Sequence, residues 1–258
     1  MIDLSIIFEL LEQAGAMNLL AIFARVSAIV FLLPGVSGSY VPTQYKLGFA
    51  MMLSIIIAPL ALTDFAASMP SNAGVAEIIL SEAVKGLLIG LAIRMSIFSL
   101  QIAGTIIAQS SSIAQIFGGS VSNEAQSTVS NILTISGIAV LMLSGFLDKL
   151  AAFFLQSYMW HPANVRPDAG NALNILVQAV SECYALAFQL ALPFMALSLF
   201  YNMTLGAINR AMPQLLVSFV GAPGIIAASI GLLVISARPM LETWLESANA
   251  IAAISGFQ

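Results

Sequence analysis

The chain has 258 residues, of which 60% are apolar and only 8% are charged, against roughly 25% charged in an ordinary soluble domain. Eight basic and twelve acidic residues leave a net charge of −4, with a single cysteine and a single histidine. These figures exclude a typical soluble enzyme, an intrachain disulfide framework, a multi-thiolate or multi-histidine metal centre and a basic nucleic-acid surface; an integral membrane protein, or a subunit buried in a larger assembly, remains.

The predicted fold is all-α: an integral membrane protein of one domain, with six long, partly kinked helices over 4–33, 43–63, 75–113, 125–157, 172–208 and 214–252. The reading rests on charge-free runs. Met95–Asn123, Ala125–Leu147, Cys183–Asn209 and Ala211–Ala237 contain no Asp, Glu, Lys or Arg, and each exceeds the about 20 apolar residues that cross a bilayer as a helix. Backbone polar groups in lipid must be satisfied internally, and continuous runs rather than short alternating ones favour helices over a barrel.

Taken in order, the first helix has no basic residue before Arg25, so it lacks the basic start of a signal peptide and is expected to stay in the mature protein. Loops are expected at Pro34–Pro42, Asp64–Gly74, Phe117–Asn123, Trp160–Gly170 and Asn209–Pro213. Ser71 or Asn72 suits the cap of the third helix, and Ser122 or Asn123 that of the fourth. Glu82 and Lys85, three apart, pair on one helix face, while Arg25 and Arg94 lie inside apolar runs. Pro59, Pro193, Pro223 and Pro239 are expected to kink or end their helices, since each removes a backbone donor. With six spans and the N-terminus inside, Lys85, Lys149, Arg166 and Arg238 fall in cytoplasmic loops and Lys46 and Arg210 outside, a narrow bias for orientation.

Gly104–Thr128 is unusual. It carries Gln109, Ser110, Ser111, Ser112, Gln115, Ser120, Ser122, Asn123, Glu124 and Gln126, too polar for acyl chains and too poor in charge for a solvated helix. It suits a wall packed on other protein, the lining of a watery passage, or a surface loop marked by Gly118-Gly119. Small residues at Gly86, Gly90, Ala92, Ser96 and Ser99, and at Ala222, Gly224, Ala227, Ala228 and Gly231, permit close helix approach.

No catalytic constellation emerges. His161 stands in a Trp-His-Pro loop with no nucleophile within local reach, and Cys183 reads as a small packing residue. Neither a phosphate-binding loop nor a zinc-protease motif is present. The expectation is a non-enzymatic chain with no cofactor and no metal.

Specific motifs lie in the C-terminal third. Leu192-Pro193, Leu205-Gly206, Asn209-Arg210, Pro213-Gln214, Phe219, Gly221 and Pro223, in that order, resemble the signature of the FliR family of export-gate subunits, whose injectisome relatives are called SctT. Arg25, Pro34, Val41-Pro42, Lys46, Gly48 and Ala58-Pro59 agree with its N-terminal pattern, and Glu82, Gly86, Gly90 and Gly104 with its third helix. The resemblance covers nearly the whole chain. Two departures stand out: Phe117-Gly118-Gly119-Ser120 where members often carry Asp-Pro, and Gly145-Phe146 where many carry Gly-His.

The resemblance implies a FliP-like portion over 1–171 followed by a FliQ-like helical hairpin over 172–258. It implies a single copy in a helical ring with FliP-like and FliQ-like subunits, around a channel for unfolded export substrates. The ring would rise out of the membrane plane, so long uncharged helices need not be ordinary spans. Gln109, Ser110, Ile113, Gln115, Ile116, Phe117, Gly118, Gly119, Ser120 and Val121 would form a plug in the pore. Arg210, Pro213, Gln214, Gly221 and Pro223 would face partners, with the Arg210–Gln214 turn on the cytoplasmic side and an FlhB-like switch protein among the neighbours. The location implied is the bacterial inner (cytoplasmic) membrane, in the flagellar basal body. The alternatives are an injectisome subunit of the same family and a small-solute transporter, although the matched halves of many transporters are missing.

Overall fold

A computed structural model describes residues 4–38, 41–66, 74–111, 127–160, 162, 168–212 and 217–254. Among them the chain is all-α, with seven helices and no strand: α1 (Leu4–Leu32), α2 (Thr43–Ala66), α3 (Val75–Ser110), α4 (Thr128–Leu143), α5 (Phe146–Trp160), α6 (Ala169–Ala211) and α7 (Val217–Ile254). Helices α3, α6 and α7 are long and apolar enough to cross a bilayer, the architecture of an integral membrane protein. Asn18–Leu32 and α4 are apolar but shorter.

The helix expected over 125–157 is two helices. It begins at Thr128 rather than 125, where Ser127 Oγ accepts the backbone N–H of Ser130 at 3.1 Å and satisfies a donor left over in the first turn. It breaks at Gly145, whose φ of 79° is left-handed and suits a residue without Cβ. The expected caps Ser71, Asn72, Ser122 and Asn123 lie outside the described residues. Helix α6 starts earlier than 172, because Asp168 Oδ2 accepts the N–H of Asn171 at 3.1 Å, and it runs on through Ala211. Pro59, Pro193, Pro223 and Pro239 do not end their helices but lie inside α2, α6 and α7. A long apolar helix tolerates the lost hydrogen bond where neighbouring groups or local adjustment satisfy the freed carbonyl.

The chain divides into two compact units, Met1–Met95 with Leu141–Val180 and Asn249–Gln258, and Ser96–Val140 with Ser181–Ala248. In the first, α2 packs on α1 and also touches α5. Its core joins Ile22, Val26, Ile29 and Leu33 of α1 to Ala50, Leu53 and Ile57 of α2, Ile89 and Ile93 of α3, and Phe154 of α5. The turn after α1 is pinned by Lys46, whose buried ammonium donates to the carbonyls of Ser37 at 3.3 Å and Gly38 at 3.1 Å. In the second unit Trp244 of α7 is fully buried and donates from its indole N–H to the carbonyl of Ser96 on α3, at 2.7 Å.

Candidate functional site

Three places hold the candidate residues and charges: the stem that brackets the expected plug, the end of α6 with the start of α7, where partners are expected, and a buried charge cluster.

The stem is the antiparallel pair α3–α4. Its two helices bracket residues 112–126, so Ile113, Gln115, Ile116, Phe117, Gly118, Gly119, Ser120 and Val121 lie outside the described residues, while Gln109 and Ser110 end α3. Gln109 is exposed and Ser110 half-buried. Four contacts close the pair. Ser130 Oγ donates to the carbonyl of Gln101 at 3.1 Å, and Ser127 Oγ to that of Gly104 at 3.3 Å. A Cβ on Gly104 would overlap the backbone of Ser130, and one on Gly137 would overlap Leu100 Cδ1. Glycine is thus required at position 104, where the α3 and α4 backbones meet, as small residues permit in membrane helices, whereas at 137 the neighbour is the movable end of a leucine.

The polarity that set this stretch apart is partly satisfied inside the helix. Ser110 Oγ donates to the carbonyl of Ile107 at 3.1 Å, Thr105 Oγ1 to that of Gln101 at 2.8 Å, and Ser111 Oγ also returns to Ile107. Back-bonded hydroxyls of this kind need no water, so the serines at the end of α3 are compatible with protein packing as well as with a wet passage.

At the end of α6 expected to face partners, Arg210 is exposed in the last turn, where a cation complements the helix dipole. Its turn is therefore helical up to Ala211 instead of a loop from Asn209. Gly221 is half-buried against α6, and a Cβ there would come within 2.5 Å of Tyr201 Oη. Pro223 is exposed; Pro213 and Gln214 lie outside the described residues. Beyond these positions, α6 exposes Leu173, Val177, Tyr184, Phe188, Leu192, Leu199 and Met203, spaced mostly three or four apart along one side.

The charge cluster pairs Glu82 with Lys85, at 2.9 Å, as expected from their spacing. It adds a partner that spacing does not reveal: Arg25 Nε of α1 stands 2.7 Å from Glu82 Oε2. Arg25 also donates to the carbonyl of Ser157 at 3.0 Å and lies 4.0 Å from the centroid of the Tyr158 ring. Lys85 Nζ donates to the carbonyl of Pro162 at 2.8 Å. All three charged side chains are buried. The cluster ties α1, α3 and α5 together and holds both cations in place, an arrangement suited to fixing helices and not to relaying protons. Cys183 is buried, as a packing residue would be, and the described residues contain no group of His, Cys, Asp and Glu arranged for a metal. His161 lies outside the described residues.

Residues 16–251 match the family described as bacterial export proteins, family 1. The chain belongs to this family. Curated relatives carry the name flagellar biosynthetic protein FliR. That of Caulobacter vibrioides is 29% identical over 86% of this chain and 89% of its own length. Those of Escherichia coli and Bacillus subtilis are 28% and 26% identical, covering 81% and 84% of this chain and 80% and 84% of their own. As a member of the FliR family the chain takes part in flagellar protein export, and its long apolar helices place that role at a membrane.

Proposed function

We propose that the chain is a structural and gating subunit of the flagellar type III export gate, packed with FliP-like and FliQ-like chains around a protein-secretion channel in the inner membrane at the flagellar basal body. On this reading its first part, 1–171, is FliP-like and its last, 172–258, a FliQ-like hairpin. Residues Gln109–Val121 occlude the channel at rest, and the Arg210–Pro223 region meets FliQ-like neighbours or an FlhB-like switch protein. Unfolded export substrates pass through the ring. The chain itself does no bond chemistry, and the energy for export comes from elsewhere in the apparatus.

The observation that carries the reading is the uncovered side of α6. From Leu173 to Met203 the exposed apolar side chains extend for about 45 Å at the helical rise, whereas the hydrocarbon core of a bilayer is about 30 Å thick. Lipid alone cannot cover that length at ordinary tilt. Exposed Gln189 and Asn202 lie along the same helix, where acyl chains offer no hydrogen bond. Other protein helices supply both kinds of contact.

Co-expression of the tagged chain with and without the FliP-like and FliQ-like chains of the same organism tests this. A detergent-stable complex containing all three, with the chain degraded or aggregated when alone, is the expected result. A monodisperse monomer that ignores both partners would remove the assembly role.

A further inference from the structure

We infer that α3 and α4 form a permanently closed stem that does not part during export, so that Gly104, Ser127, Ser130 and Gly137 act as positioning residues for the channel segment joining the two helices. The inference rests on the proposed reading of that segment and adds to it a statement about residues outside the segment.

Four observations in the second unit support it. Gly104 meets the backbone of Ser130, leaving no space between the helices for a methyl group. The hydroxyls of Ser127 and Ser130 both cross from α4 to carbonyls of α3, those of Gly104 and Gln101. Farther along, Gly137 meets Leu100, so the approach is sustained over about one turn of α3 and two turns of α4. Trp244 of α7 then seals the far end: its ring lies 3.5 Å from the position of a Gly137 Cβ, and its N–H bonds to the Ser96 carbonyl.

The chemistry explains why such a pair would stay shut. Parting the helices would strip Ser127 and Ser130 of their acceptors, and an unmatched hydroxyl in an apolar surrounding is costly. It would also open a gap beside two glycines, which have no side chain to fill it, forfeiting the dispersion contacts of their neighbours. The two ends of the joining segment, at Ser111 and Ser127, are thereby held on a fixed base, and any opening of the channel leaves that base unchanged.

A reversible cross-link tests the inference in the assembled export apparatus. In a Cys183→Ala background, Leu100→Cys and Gly137→Cys are introduced together. Losing Leu100 Cδ1 vacates the place a Cβ at position 137 would take, so a disulfide is compatible with the closed pair. Oxidation is expected to join the two cysteines fully while flagellar secretion stays at the level of the reduced protein. Loss of secretion on oxidation, restored by reductant, would overturn the inference, as would failure of the cysteines to join. If the reduced double variant is itself inactive, Gln101→Cys with Ser130→Cys repeats the test at the next contact, with the same outcomes deciding. Deleting Gln115–Ser120 in parallel separates the two claims. Absence of an ion leak in that deletion sinks the plug reading alone, whereas a reductant-reversible block in the cross-linked protein sinks the stem alone.

Discussion

Arg25 and Glu82, on different helices and far apart in sequence, meet at 2.7 Å with both side chains fully buried. Removing an ion from water costs several kcal/mol even after relaxation, so a pair like this is tolerated only when its remaining polar atoms are satisfied. Here the second carboxylate oxygen takes Lys85, and the guanidinium takes the Ser157 carbonyl and the Tyr158 ring. The cluster therefore specifies how α1, α3 and α5 meet more than it adds to net stability.

Glu82→Gln is predicted to be severe, because it leaves two buried cations without their carboxylate. Breaking a buried pair from one side costs about 3–5 kcal/mol. The expected result is a sharp drop in membrane abundance and in the thermal midpoint of the purified complex. Arg25→Met combined with Glu82→Leu should recover part of that loss. Wild-type abundance in Glu82→Gln would show that the pair is not the constraint argued here.

Gly104→Val and Gly206→Ala form a matched contrast. At position 104 the new atoms collide with Ser130 backbone, which cannot rotate aside. Overpacking of this kind costs about 1–3 kcal/mol, and export should fall with it. At position 206 a Cβ meets nothing within 4 Å, and replacing a mid-helix glycine by alanine gains about 0.5–1 kcal/mol. Immunoblots of membrane fractions check both directions. Equal abundance of the two variants would deny the close α3–α4 approach, and reduced abundance of Gly206→Ala would identify that open face as a buried interface of the assembly.

The distribution of charge made most of the helices legible, because a run without charge has few other ways to be folded. It could not show the break at Gly145. The surrounding sequence stays apolar on both sides, and a single glycine inside a helix is tolerated; the Ser144-Gly145 pair was the available signal. Pro59, Pro193, Pro223 and Pro239 marked places to kink or end a helix, and the helices run on through all four, as long apolar helices tolerate. The Glu82–Lys85 pair followed from spacing along one helix, whereas Arg25 joined it only through tertiary packing. For the stem, Gly104 was visible as a small residue, but its partner Ser130 belongs to another helix and no local pattern links them. The serines of this stretch left a packed wall, the lining of a passage and a surface loop all open, because a sequence does not reveal which hydroxyls return to their own backbone.

Trp244→Phe is predicted to be mild and Trp244→Ala severe. Phenylalanine keeps most of the buried ring and loses only the indole donation to Ser96. That carbonyl still accepts the Ser99 hydroxyl at 2.6 Å, so it is not left bare, and the cost should be near the about 1 kcal/mol of one net hydrogen bond. Alanine empties a fully buried site, worth about 3–5 kcal/mol. Thermal unfolding of the co-purified assembly distinguishes the two. Similar loss in both variants would make the hydrogen bond, and not the ring, the dominant contact.

Arg210→Glu separates a folding role from a partner role at the end of α6. The side chain is exposed in the last helical turn, so reversing its charge costs the fold only about 0.3–1 kcal/mol through the helix dipole. The chain itself should still accumulate in the membrane. If Arg210 meets acidic groups of a FliQ-like or FlhB-like neighbour, as proposed, the new carboxylate faces like charge there. Co-purification of that neighbour and swimming motility should then fall well below wild type, with Arg210→Lys close to normal for a contact that needs only a positive charge. Retained motility and intact co-purification in Arg210→Glu would leave the arginine as a helix-terminal charge reaching lipid phosphates or water, and would remove it from the interface.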